Sequence, residues 1–146
     1  MTSPETTQLA AHVKGISKSF GDGGSRLQVL KEIDLEVRRG DITMLVGPSG
    51  CGKTTLISII AGTLKADAGE LTVFGHDLRK MSTAAITRFR SRHIGFIFQS
   101  FNLIPTLTCA ENVSVPLLIQ GLAASKAEKR AREVLAQVGM GDFVKR

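Results

Sequence analysis

The chain has 146 residues, 42% of them apolar and 22% charged, enough for the core of one compact domain or part of a larger one, which excludes a disordered polymer. A formal net charge of +6 and a pI near 9.8 suit an anionic partner, whether polyphosphate, nucleic acid or a membrane surface. Cys51 and Cys109 offer neither a disulfide framework nor zinc-ligand spacing, and no apolar run approaches the length of a membrane span, so a soluble chain in a reducing compartment is expected.

Residues 1–8 are polar with an early proline and read as a flexible tail ahead of one domain at 9–146. Strand-like runs follow at 11–17 and 33–37. In the second, Ile33, Leu35 and Val37 alternate with Asp34 and Glu36, the period of a half-buried strand. The glycine-rich stretch 21–25 is a loop between them, and Arg39-Gly40-Asp41 reads as a tight turn. The run 42–46 (ITMLV) is apolar on both parities, as in a strand buried on both faces of a parallel sheet. A helix over 54–61 stops at Gly62, a strand over 70–74 ends at Gly75, and 82–92 reads as a helix with Ile86 and Phe89 on one face. Another buried strand is expected at 94–98. Two capping boxes then predict helix starts, one at Thr108 with Glu111 and one at Ser125 with Glu128. Pro116 should limit or kink the first helix. The second presents Ala127, Ala131, Leu135 and Val138 on one face and ends at Gly139. The class is α/β, with antiparallel-looking strands first and a parallel core sheet with flanking helices after them.

Between the run 42–46 and the helix that follows it stands GPSGCGKT, residues 47–54, a full match to G-x-x-x-x-G-K-[ST] in its confirming strand–loop–helix context. Glycines let the backbone turn so that successive N–H groups face phosphate oxygens, and the helix N-terminus adds partial positive charge. Lys53 places a cation at the β and γ phosphates, and the Thr54 hydroxyl is placed to ligate magnesium. The expected ligand is ATP with Mg2+. Outside the loop, the basic residues Arg88, Arg90 and Arg92 read as a solvated helix face. His12, His76 and His93 lack ligand or triad spacing. Cys51 reads as a small residue tolerated at a variable loop position, with oxidation as the sharper alternative.

Many families use a P-loop, and its surroundings make the choice. Phe20 lies in KSFG, ahead of the loop, and Gln99 lies in IGFIFQS, 46 positions after Lys53. With the runs SGCGKTTLISIIAGTLKADAGELTVFG and IGFIFQSFNLIPTLTCAENVSVPLLIQG, these residues resemble the ATP-binding subunits of ABC transporters, in the branch serving lipoprotein release and macrolide-type export. The resemblance covers roughly residues 11 to 146. It implies that Phe20 stacks on adenine and that Gly47, Ser49, Gly50, Cys51, Gly52, Lys53, Thr54 and Thr55 hold the phosphates. It also implies that Gln99 reaches magnesium and the attacking water, so that Lys53 and Gln99 are the catalytic candidates and Thr54 and Gln99 the metal ligands. The segment 100–118 corresponds to the part that meets the transmembrane partner. Two readings of Phe101, Leu103, Ile104 and Leu107 stand side by side there, a docking groove or cover for the domain's own core.

The family's glycine-containing signature, the apolar strand ending in Asp with a following Glu, and the switch histidine are not in these 146 residues. The chain is therefore expected to be an N-terminal portion, truncated before the signature, that binds nucleotide and hydrolyses it negligibly by itself. The resemblance implies a permease and a second ATP-binding subunit as partners, at the inner face of the cell membrane, with no nucleic acid. The alternatives are an ABC-type ATPase acting on DNA, or a non-hydrolysing remnant that binds a transporter subunit.

Overall fold

The computed structural model describes residues 9–146, so the tail expected at 1–8 lies outside the described residues. The chain divides into two compact units, one ending at Arg90 and one running from Ser91 to Arg146. The first is built on a four-stranded antiparallel sheet of β1 (Leu9–Phe20), β2 (Leu27–Arg38), β3 (Ala68–Val73) and β4 (His76–Asp77), in the order β2-β1-β3-β4. Helix α1 (Lys53–Ile60) lies between β2 and β3 in sequence, and α2 (Thr83–His93) follows β4.

The two long strands extend well beyond the expected runs because each changes phase once. On β1 the buried residues are Ala11 and Val13, then Ile16. On β2, Leu30 is buried and Ile33, Leu35 and Val37 are half-buried. A switch of parity puts successive core residues on the same face only if an extra residue is accommodated, and the register of both pairings shifts around Gly15. Gly15 has φ +60° and Glu32 has φ +46°, one on each strand. The N–H groups that such irregularities release from the ladder are both taken by side chains of the opposite strand. Asp34 Oδ1 accepts from Gly15 N–H at 2.6 Å, and Ser17 Oγ accepts from Glu32 N–H at 3.0 Å. On the other side of β1, a Cβ at Gly69 would stand 2.5 Å from the Gly15 carbonyl oxygen, so glycine is required where β3 presses against the bulge.

The core of this unit is completed by Leu56 and Ile59 of α1, Leu71 and Val73 of β3, Leu78, and Ile86 and Phe89 of α2. Helix α2 and strand β3 form close to the expected bounds. The runs 42–46 and 94–98 do not form strands, and they correct the expectation of a parallel sheet among the described residues. Ile42, Met44, Val46 and Ile97 are 98%, 81%, 84% and 97% exposed. Their composition suits strands covered on both faces, but a parallel strand exists only through ladder bonds to neighbours. The described sheet consists of the four antiparallel strands alone.

The second unit is a helical hairpin of α3 (Cys109–Ile119) and α4 (Ala124–Gln137), followed by a single 3-10 turn at Gly141–Phe143. Thr108 caps α3 with the expected box: Thr108 Oγ1 accepts from Glu111 N–H at 3.3 Å, and Glu111 Oε2 accepts from Thr108 N–H at 2.7 Å. The next donors of the first turn, Cys109 N–H and Ala110 N–H, reach the carbonyls of Arg146 and Val144. Helix α3 continues through Pro116 for three residues rather than stopping there. The box expected at Ser125 is absent, because α4 starts at Ala124, one residue before it, on an Ala123 N-cap that offers no side-chain bond, and Glu128 pairs instead with Arg132 at 2.6 Å. Ala127, Ala131 and Leu135 are buried as expected, whereas Val138 is 64% exposed. It is the C-cap residue, beyond the last helical turn. Gly139, at φ +74°, closes the helix in a Schellman arrangement, with Met140 N–H on Leu135 O and Gly139 N–H on Ala136 O. Among the described residues, no helix is long and apolar enough to cross a membrane.

Candidate functional site: a phosphate-binding loop

The loop 47–52 turns back on itself, with Cys51 N–H 3.5 Å from the Pro48 carbonyl and Gly50 at φ +80°. Gly52, at φ +90°, is the N-cap of α1, and its carbonyl accepts from Leu56 N–H at 2.9 Å. A Cβ at Gly52 would lie 2.8 Å from Leu30 Cδ2 and 3.0 Å from the Val29 carbonyl oxygen of β2. The second motif glycine is thus demanded twice, by its left-handed backbone and by its approach to the sheet. A glycine N-cap brings no side chain, so the first-turn N–H groups of α1 have no side-chain acceptor. They form a row of donors at the positive end of the helix, with no acidic residue in the first turn to compete with an anion.

Lys53 is folded into the loop. Its Nζ donates to the carbonyls of Gly47 at 2.7 Å and Pro48 at 2.6 Å, and lies 3.5 Å from Cys51 Sγ. The ammonium is therefore held at the mouth of the loop by neutral acceptors that an anionic oxygen outcompetes. Thr54 is exposed, Thr55 half-buried, and Ser49 exposed. Beside Lys53 and Thr54 opens a groove of about 520 Å³, lined largely by apolar side chains of β2, α1 and the run 43–45. A smaller cavity of about 130 Å³, between Ile59, Leu71 and Ile86, touches none of the site residues.

Phe20 ends β1, pairs with Leu27 and is 43% exposed, with Lys18 Nζ 5.5 Å from its ring centroid. Lys18 and Ser19 are in turn bound by Asp67, whose carboxyl is held below its ordinary range chiefly by the Lys18 hydrogen bond, then by the Ser19 N–H. Sequence reasoning missed Asp67, since the pair with Lys18 spans 49 residues and leaves no local signal. Phe20, the loop and Thr55 lie in the first unit. Gln99 lies in the second, exposed, in a bend that follows the run 94–98, which belongs to no helix or strand. A second residue that went unnoticed is Asn112. Its side chain accepts from Ile104 N–H at 2.8 Å and donates to the Ile104, Leu107 and Thr108 carbonyls, organising the segment 104–108. Phe101 and Leu103 remain 94% and 63% exposed there, and Ile104 43%.

Comparison with known proteins gives a consistent result. The family model described as ABC transporter matches residues 30–146. The chain is 44% identical over 130 residues to the lipoprotein-releasing system ATP-binding protein LolD of Bacteroides thetaiotaomicron, which covers 89% of this chain and 58% of that protein. It is 38% identical over 130 residues to the macrolide export ATP-binding/permease protein MacB of Aggregatibacter actinomycetemcomitans, covering 89% of this chain and 20% of that protein. Among solved structures, the dimeric post-hydrolysis state of the ATP-binding cassette MJ0796, bound to ADP and Pi, superposes with a TM-score of 0.86 at 31% identity. That match covers 93% of this chain and 60% of the cassette. The chain thus spans a little over half the length of the LolD relative it matches. With the loop, its helix and most of the chain matched, the chain belongs to the ABC transporter family and has the fold of its ATP-binding cassettes.

Proposed function

We propose that this chain acts as an ATP-binding subunit that energises an ABC transporter, at the cytoplasmic face of the membrane, with a permease and a second ATP-binding subunit. The observation that carries the reading is the loop itself: a left-handed glycine N-cap, a helix start without a side-chain cap, and Lys53 held at the loop mouth by two carbonyls. In this reading the N–H groups of the loop and first turn receive the α and β phosphates. The Lys53 ammonium exchanges neutral carbonyl acceptors for β and γ oxygens, and Phe20 offers its ring face to adenine. Thr55 stands beside the α phosphate.

Magnesium fits the residues present. No group of three or more His, Cys, Asp or Glu that could hold a metal is found among the described residues, so a cation would depend on phosphate oxygens for most of its ligands. The exposed Thr54 hydroxyl, at the second position of α1, would hold it from the protein side. When bound, the ion neutralises charge building on the phosphates. The cassette dimer of MJ0796 supports a second ATP-binding subunit as a partner. Neither LolD nor MacB is named for work on DNA.

Titration of the pure chain with MgATP by calorimetry tests the reading. Lys53→Ala is expected to weaken binding by about tenfold or more, the loss of a charge-assisted contact. Unchanged affinity would sink it. Turnover by these 146 residues alone is expected to be negligible, because they contain no apolar run ending in Asp-Glu to position the attacking water. Steady phosphate release by the pure chain, abolished by Lys53→Ala, would contradict that.

A further inference from the structure

We propose that Asp67 is a positioning residue for the nucleobase: it holds Lys18 against the ring of Phe20 and thereby fixes the face the ring presents. The proposal rests on the reading of Phe20 as the base-stacking aromatic. It names a residue on which that reading depends, in a segment remote from it in sequence.

Asp67 immediately precedes β3. The last Cα pair between β1 and β3 is Ser17 with Ala68, so beyond Ser17 that side of β1 has no ladder partner. Asp67 takes over where the strand stops. Its own N–H donates to the Ser17 carbonyl at 2.9 Å, and its Oδ2 accepts from Ser19 N–H at 2.8 Å. Its Oδ1 accepts from Lys18 Nζ at 2.7 Å, and the Arg26 guanidinium lies 3.8 Å from Oδ2. One residue thus grips the three consecutive positions that lead into Phe20.

The Lys18 side chain is only 14% exposed, unusual confinement for a lysine, and its ammonium stands over the Phe20 ring within cation–π range. An isolated surface ion pair would contribute little. This one is joined to two backbone bonds, and its cation rests on an aromatic ring that is otherwise 43% exposed. With Lys18 over one face of this partly exposed ring, in this proposal the flat π-ligand lies on the other. Freed from Asp67, the lysine would no longer hold the ring in that attitude.

The test compares affinities of the full chain for ATP and for inorganic tripolyphosphate by calorimetry, since their ratio isolates the contribution of the nucleoside. Phe20→Ala is expected to lower the ratio about fivefold or more, the scale of one base–aromatic stack. Asp67→Asn, which retains an acceptor for Ser19 but loses the charge, is expected to lower the ratio about threefold and to add nothing in the Phe20→Ala background. Lys18→Gln leaves the Asp67 bonds to Ser17 and Ser19 in place and should give the same selective loss, a second route should Asp67→Asn fail to fold. Equal weakening of ATP and tripolyphosphate by Asp67→Asn, or an unchanged ratio in Lys18→Gln, would overturn the proposal and leave Asp67 a turn residue. An unchanged ratio in Phe20→Ala would overturn the stacking reading and this proposal together. A drop in Phe20→Ala without one in Asp67→Asn would overturn this proposal alone.

Discussion

At Gly52 two independent constraints fall on one residue. The backbone is left-handed at φ +90°, and a methyl group would meet Leu30 at 2.8 Å and the Val29 carbonyl at 3.0 Å. The Leu30 side chain can shift; the Val29 carbonyl is backbone and cannot yield without disturbing β2. Gly52→Ala is therefore expected to destabilise the chain by about 1–3 kcal/mol in urea unfolding, the usual cost of such strain. It should also weaken nucleotide binding, because the N-cap must tilt. Gly50, equally left-handed at φ +80° but with no atom within 4 Å of its missing Cβ, carries only the backbone constraint. The motif spacing already marked Gly52, Lys53 and Thr54, because a phosphate loop is a local device written in eight consecutive residues, whereas Gly50 stands at a free position of the motif and came only from the family resemblance. Asp67 and Asn112 were invisible for the opposite reason. Each acts through carbonyls, amides or a lysine brought near by folding, and neither belongs to a recognisable run.

Helix α3 shows how far a local pattern reaches. Its capping box was legible at Thr108 and Glu111 and is formed; the same pattern at Ser125 and Glu128 is not, since α4 nucleates earlier and Glu128 finds Arg132. Thr108→Ala is expected to cost about 1 kcal/mol. The Glu111 carboxyl lies below its ordinary value of 4.5, held down first by the Thr108 N–H and then by the Thr108 hydroxyl. A folded-state value below the unfolded one means that the cap stabilises fully above about pH 4.5 and is lost as the pH falls through the lower folded value. Stability measured by denaturant titration should decline in that acid window, and Thr108→Ala should flatten the decline. The runs 42–46 and 94–98 failed as strand predictions on different grounds. Their apolar pattern records where such residues are suited to be buried, but a ladder is a relation between segments, and periodicity within one segment is blind to its partner.

For the whole molecule, the candidate site residues are divided between two units, with the loop and Phe20 in one and Gln99 in the other. Ligand binding should register unevenly along the chain. At a nucleotide concentration of about 100 times Kd, linkage adds about 2.7 kcal/mol to any opening that destroys the site. Amide exchange is expected to slow over the loop and α1, and to change least in α4, which carries no candidate site residue. Uniform slowing across α4 would show that the two units open as one. The antiparallel half of the fold, the helices and the family were legible in the sequence; the bulged phase of the long strands was not, because Gly15 and Glu32 look unremarkable until their partners Asp34 and Ser17 are known.

Those two side-chain bonds across β1 and β2 have a metrical consequence. A slip of two residues would keep every side chain on its own face and leave backbone pairing possible, so parity alone does not forbid it. Here a slip would strand the Gly15 and Glu32 amides away from Asp34 and Ser17, so the strands are pinned at one offset. From that pin to Phe20 the chain measures a fixed count of residues, and a single insertion between them that no further bulge absorbs would turn the ring to the other side of the sheet. The sheet is thus a ruler as much as a scaffold, and the aromatic at its end is placed by counting.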